Sequence, residues 1–361
     1  MRSSPVFVTG VAAATCCGLG AQAFWDHLDR SRSAANPASV PAVRRFAGTP
    51  LPLGTRRGLP EADRLTTYLL AALDYDLGAF LSELCDQERE RVGVALGSAY
   101  GHLSKYFGYF EVGTEQGYQL VNPRYFPTTL PNWSTVSVSD TYSLWGSSTP
   151  VASGLTAGVE AIAYAAGAIR NGEEEAMIAG GYDEINPYNM RVLETVTTAS
   201  PGEGVGVLLL QSADAATASE REPLAAYGST VVRRGVWWDA PDAGARAAEA
   251  IRAAVATSGL ELSEITAVFP SASGCSGEDD FEAQLLRDVF GTRLSAVDII
   301  PIKAVTGECF SASGPLQCIA AVEYLANVAP ARSPDETPAA LVSGMGYDGQ
   351  FAATVFLRSP A

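Results

Sequence analysis

The sequence predicts a layered α/β fold made of two similar halves. Apolar strands that end in glycine alternate with helices of 3.6-residue apolar periodicity. A unit of strand, tight turn and almost wholly apolar helix occurs at 149–170 and again at 299–326. Apolar residues make up 47% of the 361 positions and charged residues 18%, a balance typical of a large core. We therefore expect two closely packed halves, 1–215 and 224–361, with the polar residues 212–223 between them.

The first half begins with a buried strand at 6–10 that ends in glycine. Apolar spacing then predicts helices at 21–28 and at about 62–83, separated by a loop over 33–61 that is rich in Pro, Gly, Ser and Arg. A second strand is predicted at 92–96. Residues 111–150 carry many aromatic, Ser, Thr and Pro residues with little periodicity, so we expect an ordered insertion with short elements.

The unit at 149–170 has the clearest pattern. A strand at 149–153 leads through Gly154 into a helix that extends to about Arg170. Apolar residues follow one helical stripe, and the other faces are mostly Ala and Gly, which predicts an almost fully buried helix. The stripe consists of Leu155, Val159, Ile162, Ala166 and Ile169. Strands at 176–179 and 204–211 complete this half.

The second half repeats the order of strands and helices. Helices are predicted at 243–258, 281–290 and 311–326, and strands at 265–269, 299–302, 339–343 and 352–357. The helix at 311–326 is again apolar on most faces, which indicates burial between layers.

Composition and motifs exclude several classes of function. A net charge of −16 and a pI of about 4.6 argue against nucleic-acid binding. The six cysteines lack C-x-x-C spacing, so neither a metal site nor a disulfide framework is expected. The glycine-rich turns match neither a dinucleotide fingerprint nor a P-loop, so no cofactor is expected. No apolar run reaches the roughly 18–20 residues of a membrane span, and a cytoplasmic protein is expected.

The two histidines, His27 and His102, both lie in the first third of the chain. Residues 154–158 have the outline of a G-x-S-x-G elbow with Thr156 at its centre. That elbow needs a histidine base further along the chain, and none follows His102. We expect Thr156 to cap or pack the helix N-terminus, His27 to be a surface or packing residue, and His102 to be a packing residue.

Five motifs stand in a set order along the chain. They are Val8-Thr9-Gly10 with Phe24-Trp25, ASGLTAGVEA at 152–161, IAGG at 178–181, KAVTG at 303–307 and SGMGYDG at 343–349. Together they resemble the β-ketoacyl synthases of the thiolase fold over essentially the whole chain. The resemblance implies an α-β-α-β-α architecture, and it implies that the last motif is a gating loop that contains Tyr347.

The resemblance also implies which catalytic groups this chain lacks. The family nucleophile is a cysteine at a helix N-terminus, where the helix dipole favours a thiolate; Leu155 holds that position. The two family histidines, which polarise the malonyl thioester and stabilise its enolate, correspond to Ser273 and Glu308, while Lys303 is retained. Loss of members of one catalytic unit typically lowers the catalytic rate by a factor of about 10³–10⁶. The chain alone is therefore expected to have no catalytic residue for condensation.

A ketosynthase-like chain without its nucleophile resembles the chain length factor, or ketosynthase β subunit, of type II polyketide synthases. Aromatic systems often carry glutamine at the position of Leu155, and this departure suggests a divergent class paired with reducing, polyene-forming ketosynthases. The resemblance implies a heterodimer with a ketosynthase α subunit. It also implies contact with an acyl carrier protein through that partner, and an acyl tunnel for the growing polyketide.

The segment that follows the strand 92–96 and Gly101 matches the gating helix of chain length factors. Leu103, Tyr106 and Phe110 stand at i, i+3 and i+7, on one helical face. By resemblance, bulky groups there would end the acyl tunnel and limit the chain length. The alternative is ordinary core packing, which is the usual role of an apolar stripe.

A second interpretation gives the chain an activity of its own, as a malonyl carrier-protein decarboxylase or an acyl hydrolase. It would use Lys303, Glu308 and Cys309, with the lysine stabilising enolate charge. Against it, Lys303 could simply pair with Glu308 inside the former site. The adjacent carboxylate would also raise the pKa of the Cys309 thiol, which favours a structural cysteine. Cys275 is expected to be structural as well.

Overall fold

A computed structural model describes residues 5–33, 44–46, 64–327 and 337–359. The strands are β1 (Val6–Thr15), β2 (Gly18–Leu19), β3 (Val92–Gly97), β4 (Ser148–Val151), β5 (Ala176–Asp183), β6 (Gly204–Ser212), β7 (Ala225–Arg234), β8 (Ile265–Phe269), β9 (Asp298–Ile299), β10 (Ala339–Gly346) and β11 (Gln350–Arg358). The helices are α1 (Ala21–Ser33), α2 (Arg64–Glu83), α3 (Asp86–Arg89), α4 (Leu103–Gln116), α5 (Trp133–Tyr142), α6 (Ala157–Arg170), α7 (Pro187–Val196), α8 (Ala213–Ala218), α9 (Ala243–Thr257), α10 (Ser276–Phe290), α11 (Lys303–Thr306) and α12 (Ser313–Asn327). Within those ranges no helix has both the length and the apolar character needed to cross a membrane.

The same strand order occurs twice in the sheet. The first half has the order β4-β3-β5-β6-β1 and the second half has the order β9-β8-β10-β11-β7. In each half the first two neighbouring pairs are parallel and the last two are antiparallel. Antiparallel pairing of residues 6–8 with 225–227 joins the two halves. This repeated strand order confirms the predicted pair of similar α/β halves.

Three helix layers enclose the strands. Helices α6 and α12 form the central core together with strands from both halves. Helices α2 and α5 cover the other face of the first half, and α9 and α10 cover the other face of the second half. Alternate side chains of each strand enter different cores, as Met177 and Ile178 of β5 do, because strand side chains alternate between faces. The predicted α-β-α-β-α layering is therefore confirmed.

The central layer depends on very close backbone contacts. A Cβ atom added at Gly158 of α6 would lie 2.2 Å from the carbonyl oxygen of Ser311, and one added at Gly181 of β5 would lie 2.5 Å from the same oxygen. These glycines let the 3₁₀ turn Phe310–Ala312, which precedes α12, pack directly onto α6 and β5. The N-terminal ends of α6 and α12 are thereby brought to one place.

Several predicted elements need correction. The strand predicted at 299–302 ends at Ile299, because Ile302 is already the N-cap residue of the short helix α11. Helix α10 begins at Ser276 rather than 281, and the polar connection contains α8. Strand β7 and helix α7 were not predicted. Of the predicted loop 33–61, only residues 33 and 44–46 lie within the described ranges.

Strand β7 lacks the alternation that identifies a half-buried strand, because its polar groups are satisfied inside the fold. Ser229 Oγ donates to the carbonyl oxygen of Ala254 at 2.8 Å, and the hydroxyls of Thr230 and Thr354 lie 2.9 Å apart. Both contacts are made with distant elements. The local pattern of β7 therefore resembles a polar loop.

Candidate functional site

The turn between β4 and α6 brings a backbone amide to a helix N-terminus, and the chain's own carboxylate binds it. The N–H of Leu155 donates to Oδ2 of Asp348 at 2.8 Å, and Gln350 Nε2 donates to the same oxygen at 3.0 Å. Gly154 has φ of +94°, and a Cβ there would lie 2.3 Å from Asp348 Oδ2. Only glycine fits so close to this carboxylate.

The electrostatics at this helix end follow from that contact. A helix N-terminus attracts negative charge, and its free amides can stabilise an oxyanion in acyl transfer. The Asp348 carboxylate already fills this place. Burial raises the pKa of Asp348, while the hydrogen bonds from the backbone of Leu155 and Gln350 oppose that rise. The amide of Leu155 is therefore not available to a developing oxyanion in this arrangement.

The side chain of Leu155 lies in a small apolar cluster at the same helix end. Tyr100 and Tyr347 pack against this cluster, and their hydroxyl oxygens are 2.7 Å apart. Tyr100 also makes an edge contact with Phe310, with ring centroids 5.0 Å apart. Burial raises the pKa of both tyrosines, so both phenols are neutral near pH 7. No atom of the leucine side chain can act as a nucleophile.

Lys303 and Glu308 form a buried ion pair. Lys303 Nζ donates to Glu308 Oε2 at 2.6 Å and to Ser271 Oγ at 2.8 Å. The other carboxylate oxygen of Glu308 accepts hydrogen bonds from the backbone N–H of Phe310 at 2.9 Å and from Ser313 Oγ at 2.8 Å. The expected pairing of Lys303 with Glu308 is therefore present. It neutralises the cation that the second interpretation requires.

Ser273 lies near this pair, in the segment that precedes α10. Its backbone N–H donates to Asp279 Oδ1 at 2.9 Å, and its buried hydroxyl oxygen has no hydrogen-bond partner among the described residues. Close by, Glu282 accepts hydrogen bonds from the N–H of Ser271 at 3.0 Å and from Ser343 Oγ at 2.5 Å. Burial raises the pKa of Glu282.

Asp183, at the end of β5, is a residue of this region that the sequence analysis missed. Its side chain is fully buried, and Oδ2 accepts bonds from the N–H and the hydroxyl of Ser311 at 3.0 and 2.6 Å. Ser98 Oγ donates to Oδ1 at 2.6 Å. Burial raises the pKa of Asp183, and these hydrogen bonds oppose the rise. The sequence signal for Asp183 was a carboxylate at the end of a glycine-rich apolar segment.

The remaining candidates have structural roles. Cys309 is fully buried, and its pKa is raised first by burial and then by Glu308, in the direction expected. His27 is exposed on α1, while His102 is buried with Nε2 3.1 Å from Ser134 Oγ. Thr156 is at the N-cap position of α6 but makes no capping bond with its side chain. Its hydroxyl bonds to the side chains of Glu160 and Gln350, so of the two expected roles Thr156 packs at the helix N-terminus and does not cap it.

Helix α4 carries Leu103, Tyr106 and Phe110, as expected, but it is not a core helix. Tyr106 is 42% exposed, and the rings of Tyr106 and Phe110 are 4.7 Å apart. Leu103 and Phe110 are partly buried, and the one fully buried residue of α4 is Gly113. The stripe is therefore partly packed within this chain and partly accessible. The stripe lies on an accessible surface rather than in the cluster around Leu155.

The structure thus divides the predicted site residues into two groups. Leu155 and Tyr347 share one apolar cluster, and Phe310 links it to the pair Lys303–Glu308. Ser273 lies beside this group through the neighbouring Ser271. The α4 stripe forms the second group. The described residues include no cluster of three or more His, Cys, Asp or Glu side chains that could hold a metal ion.

Comparisons with known proteins agree with this architecture. The family model for the β-ketoacyl synthase N-terminal domain matches residues 55–216, and the model for the C-terminal domain matches residues 228–332. A putative polyketide β-ketoacyl synthase 1 from Streptomyces cyaneus is 26% identical over 377 residues, which cover 92% of this chain and 88% of that protein.

Two solved structures are similar along the whole chain. One is described as the ishigamide ketosynthase/chain length factor; it has 25% identity and a TM-score of 0.79, and the match covers 99% of this chain and 100% of that one. The other is a type II polyketide synthase acyl carrier protein in complex with its hexaketide-bound ketosynthase (AntDE:AntF). It has 17% identity and a TM-score of 0.81 with the same coverage, and supports the fold alone. The chain belongs to the β-ketoacyl synthase family and has its thiolase fold.

Proposed function

We propose that the chain is a non-catalytic chain length factor of a type II polyketide synthase. In this proposal it forms a heterodimer with a separate, active ketosynthase α subunit and shapes the tunnel that holds the growing acyl chain. The observation that carries the proposal is the start of α6. An aliphatic side chain stands there at Leu155, and Asp348 binds the backbone amide beside it. The side chain at position 155 therefore offers no nucleophile, and the Leu155 amide is not free to bind an oxyanion.

The site around Lys303 supports the same proposal. A lone ammonium group could stabilise an enolate, but Glu308 Oε2 lies 2.6 Å from Nζ and already neutralises it. A carboxylate at this place would also repel the negative charge that develops on decarboxylation. Cys309, the one thiol beside the pair, is fully buried with a raised pKa. The decarboxylase or hydrolase interpretation therefore gains no specific support.

An open sheet edge supports the expectation of a partner subunit. In the described part of the chain β4 pairs with β3 alone, at the end of the sheet. The carbonyl oxygens of Ser147 and Val151 accept bonds from β3, so the backbone of Ser148 and Pro150 between them faces outward. Such an edge can pair with a strand of another chain through the N–H of Ser148 and the outward carbonyl oxygens, while Pro150 has no N–H to donate. Ser148 and Pro150 are both exposed.

The second support is an aromatic surface formed by α4 and the 3₁₀ turns that follow it. Its exposed members are Tyr106, Phe107, Tyr118, Leu120, Tyr125 and Phe126, at 37–65% relative exposure. Tyr109 connects its two parts, with ring centroids 5.5 Å from Phe110 and 6.0 Å from Phe126. Contiguous apolar surface of this kind typically marks an interaction site. We assign it to the ketosynthase interface and to the acyl tunnel that crosses it.

The similar structures supply the chemistry of the partners. One neighbour is described as a ketosynthase with a chain length factor, and the other as a ketosynthase with its acyl carrier protein. By analogy, the partner ketosynthase provides the cysteine and both histidines, and it receives the carrier protein. This chain then contributes shape to the tunnel rather than a reacting group.

Co-expression with a type II ketosynthase that has its cysteine and both histidines tests the proposal. We expect a 1:1 heterodimer by light scattering, and polyketide extension by the heterodimer. The chain alone is expected to release no CO₂ from malonyl carrier protein. A Leu155→Cys variant should leave the product yield of the heterodimer unchanged, because Ser273 and Glu308 supply no imidazole. Turnover or a covalent acyl adduct on the isolated chain would contradict the proposal.

Interface variants test the pairing separately. Phe107→Glu places a charge in the aromatic surface, so we expect at least a roughly 30-fold weaker heterodimer, as at an interface hot spot. Tyr75→Glu is the control, because Tyr75 is 67% exposed on α2, away from that surface. Equal affinity of both variants for the ketosynthase would remove the aromatic surface from the proposed interface.

A further inference from the structure

Two adjacent cysteines form the tight turn between β1 and β2. Thr15 pairs with Gly18, so Cys16 and Cys17 are the two residues of the turn. Their sulfur atoms are 4.0 Å apart, and both side chains are partly exposed. The turn lies outside the cluster around Leu155, and the proposed function makes no use of it.

A buried arginine lies near this thiol pair without a carboxylate partner. Arg44 is 8% exposed, and its Nη2 donates to the carbonyl oxygen of Ala304 at 3.0 Å. Its Nε and Nη1 atoms have no hydrogen-bond partner in the described part of the chain. The guanidinium charge is therefore balanced by no salt bridge there, and a nearby thiolate would be favoured.

The two thiols differ in their tendency to ionise. The hydrogen bond from Cys16 lowers the pKa of Cys17; the Thr15 hydroxyl and the charges of Arg30 and Arg44 act in the same direction, and burial opposes them. The same bond raises the pKa of Cys16, and burial adds to the rise. Cys17 is therefore the member of the pair that ionises more readily.

We propose that the Cys16–Cys17 turn is an oxidation site at which a hydroperoxide converts the two thiols to a disulfide. The Cys17 thiolate attacks the peroxide; an S–O bond forms, the O–O bond breaks, and the leaving alkoxide or hydroxide takes a proton from water. The Cys16 sulfur then attacks Cys17; an S–S bond forms, the S–O bond breaks, and the departing hydroxide leaves as water with the thiol proton. Two electrons pass from sulfur to the peroxide.

Geometry makes this disulfide easy to reduce again. Consecutive Cα atoms are about 3.8 Å apart across a trans peptide, below the usual range of about 4.4–6.8 Å for disulfides. A strained bond of this kind has a more oxidising potential than a structural disulfide. The Cys16 sulfur also lies 3.5 Å from the carbonyl oxygen of Val305 in α11, the helix that begins with Lys303. Closure of the ring would release this contact.

The other cysteines serve as internal controls. Cys85 is exposed, so it is accessible to any reagent that reaches Cys17. Cys309 and Cys318 are fully buried, and burial raises the pKa of both. If exposure alone determines the reaction rate, Cys85 reacts first. If the fraction of thiolate determines the rate, Cys17 reacts first.

Labelling of the full-length chain with iodoacetamide at pH 7 tests the first step. We expect Cys17 to react roughly tenfold faster than Cys85, because a larger thiolate fraction outweighs its lower intrinsic nucleophilicity. Arg30→Gln should lower the labelling rate of Cys17 and leave the labelling rate of Cys85 unchanged. Reaction of Cys85 as fast as that of Cys17 would overturn the proposal.

Treatment with hydrogen peroxide tests the second step. Trypsin leaves both cysteines in the one peptide 3–30, so closure appears as a loss of two hydrogens from that peptide. In Cys16→Ser we expect oxidation to stop at a sulfenic acid on residue 17, which dimedone traps. In Cys17→Ser we expect no oxidation of residue 16 on the same time scale. A disulfide that joins Cys17 to Cys309 instead would contradict the assignment of Cys16 as the resolving thiol.

Discussion

The backbone N–H of Leu155 and Oδ2 of Asp348 are 2.8 Å apart, although 193 positions separate the two residues in sequence. The contact closes the N-terminus of α6 with a charge from the second half of the chain. Gln350 Nε2, which bonds to Asp348, also donates to the carbonyl oxygen of Ser153. Hydrogen bonds therefore fix the turn at Ser153 and at Leu155. The start of α6 is therefore linked by hydrogen bonds to the second half of the chain.

Asp348→Ala should destabilise the chain by about 1–3 kcal/mol, because it leaves the partly buried amide of Leu155 without this acceptor. Asp348→Asn keeps one oxygen acceptor, so a smaller loss is expected. Urea unfolding measures both losses, and Asp239→Ala, at an exposed position, is the control. An Ala variant as stable as the wild type would show that the contact is dispensable.

Two glycines of the same helix should respond to alanine in opposite directions. Gly158→Ala places a Cβ 2.2 Å from the Ser311 carbonyl oxygen, so overpacking should cost about 1–3 kcal/mol. At Gly167 no atom lies within 4 Å of an added Cβ, and Gly167→Ala should stabilise the helix by up to about 1 kcal/mol. Thermal unfolding of both variants measures the difference. A loss of equal size at Gly167 would contradict the close-contact explanation.

Removing either member of the pair Lys303–Glu308 should leave a buried charge uncompensated. We expect Lys303→Met and Glu308→Gln each to lower the free energy of unfolding by about 3–5 kcal/mol. The double variant should lose less than the sum of the two, because no lone charge remains. A thermodynamic cycle from denaturant unfolding gives the coupling. Additive losses would mean that the two groups do not stabilise each other.

Glu282 should make the chain less stable as the pH rises. Burial raises its pKa above the ordinary value of 4.5, and Asp279 adds to the rise, while Ser343, the Ser271 amide and Lys303 oppose it. The folded chain therefore holds this proton to higher pH than the unfolded chain does. The contribution of Glu282 to the free energy of unfolding is therefore greatest below its ordinary pKa. It is lost as the pH rises through the raised pKa of Glu282 in the folded chain.

Glu282→Gln removes this ionisation and keeps the shape of the side chain. Unfolding between pH 4 and 8 should therefore show a smaller decline in stability for Glu282→Gln than for the wild type. Asp239→Asn, at an exposed position, should leave the decline unchanged. Parallel stability curves for Glu282→Gln and the wild type would show that Glu282 has the same pKa in the folded and the unfolded chain.

The α4 stripe leads to a prediction about the product. Tyr106→Ala and Phe110→Ala remove aromatic volume from the surface that we assign to the tunnel, so the heterodimer should make longer polyketides. Mass spectrometry of the products measures the length, and Tyr75→Ala is the control on another surface. An unchanged product distribution in both variants would remove these residues from chain-length control.

The fold could be predicted further than the site. Strong local periodicity predicted α6, β6, α9 and most other elements within a few residues. Strand β7 was missed because its buried hydroxyls are satisfied by contacts more than 20 residues away. Helix α7 was missed although its sequence is amphipathic, and two of its ten residues, Asn189 and Leu193, are buried.

For the site, motif order predicted that residues near 155, 303, 308 and 347 belong together. It did not predict what holds them. The Leu155–Asp348 contact spans 193 positions and the Ser311–Asp183 contacts span 128, and no local pattern shows such partners. The exposure of Tyr106 was equally hidden, since the same spacing suits a core stripe and an interface.

The repeated strand order gives these two aspartates a reciprocal relationship. Strands β5 and β10 hold the same place in their halves; Asp183 ends the first, and Asp348 follows the second by two residues. Asp183 caps the turn before α12, whereas Asp348 caps the turn before α6. Each half of the chain therefore caps a turn in the other half, as two protomers related by a twofold axis would. The polypeptide is a covalently tethered dimer of its own repeats. A fragment that ends near residue 220 would lack Asp348, the hydrogen-bond acceptor for the turn before its buried helix α6.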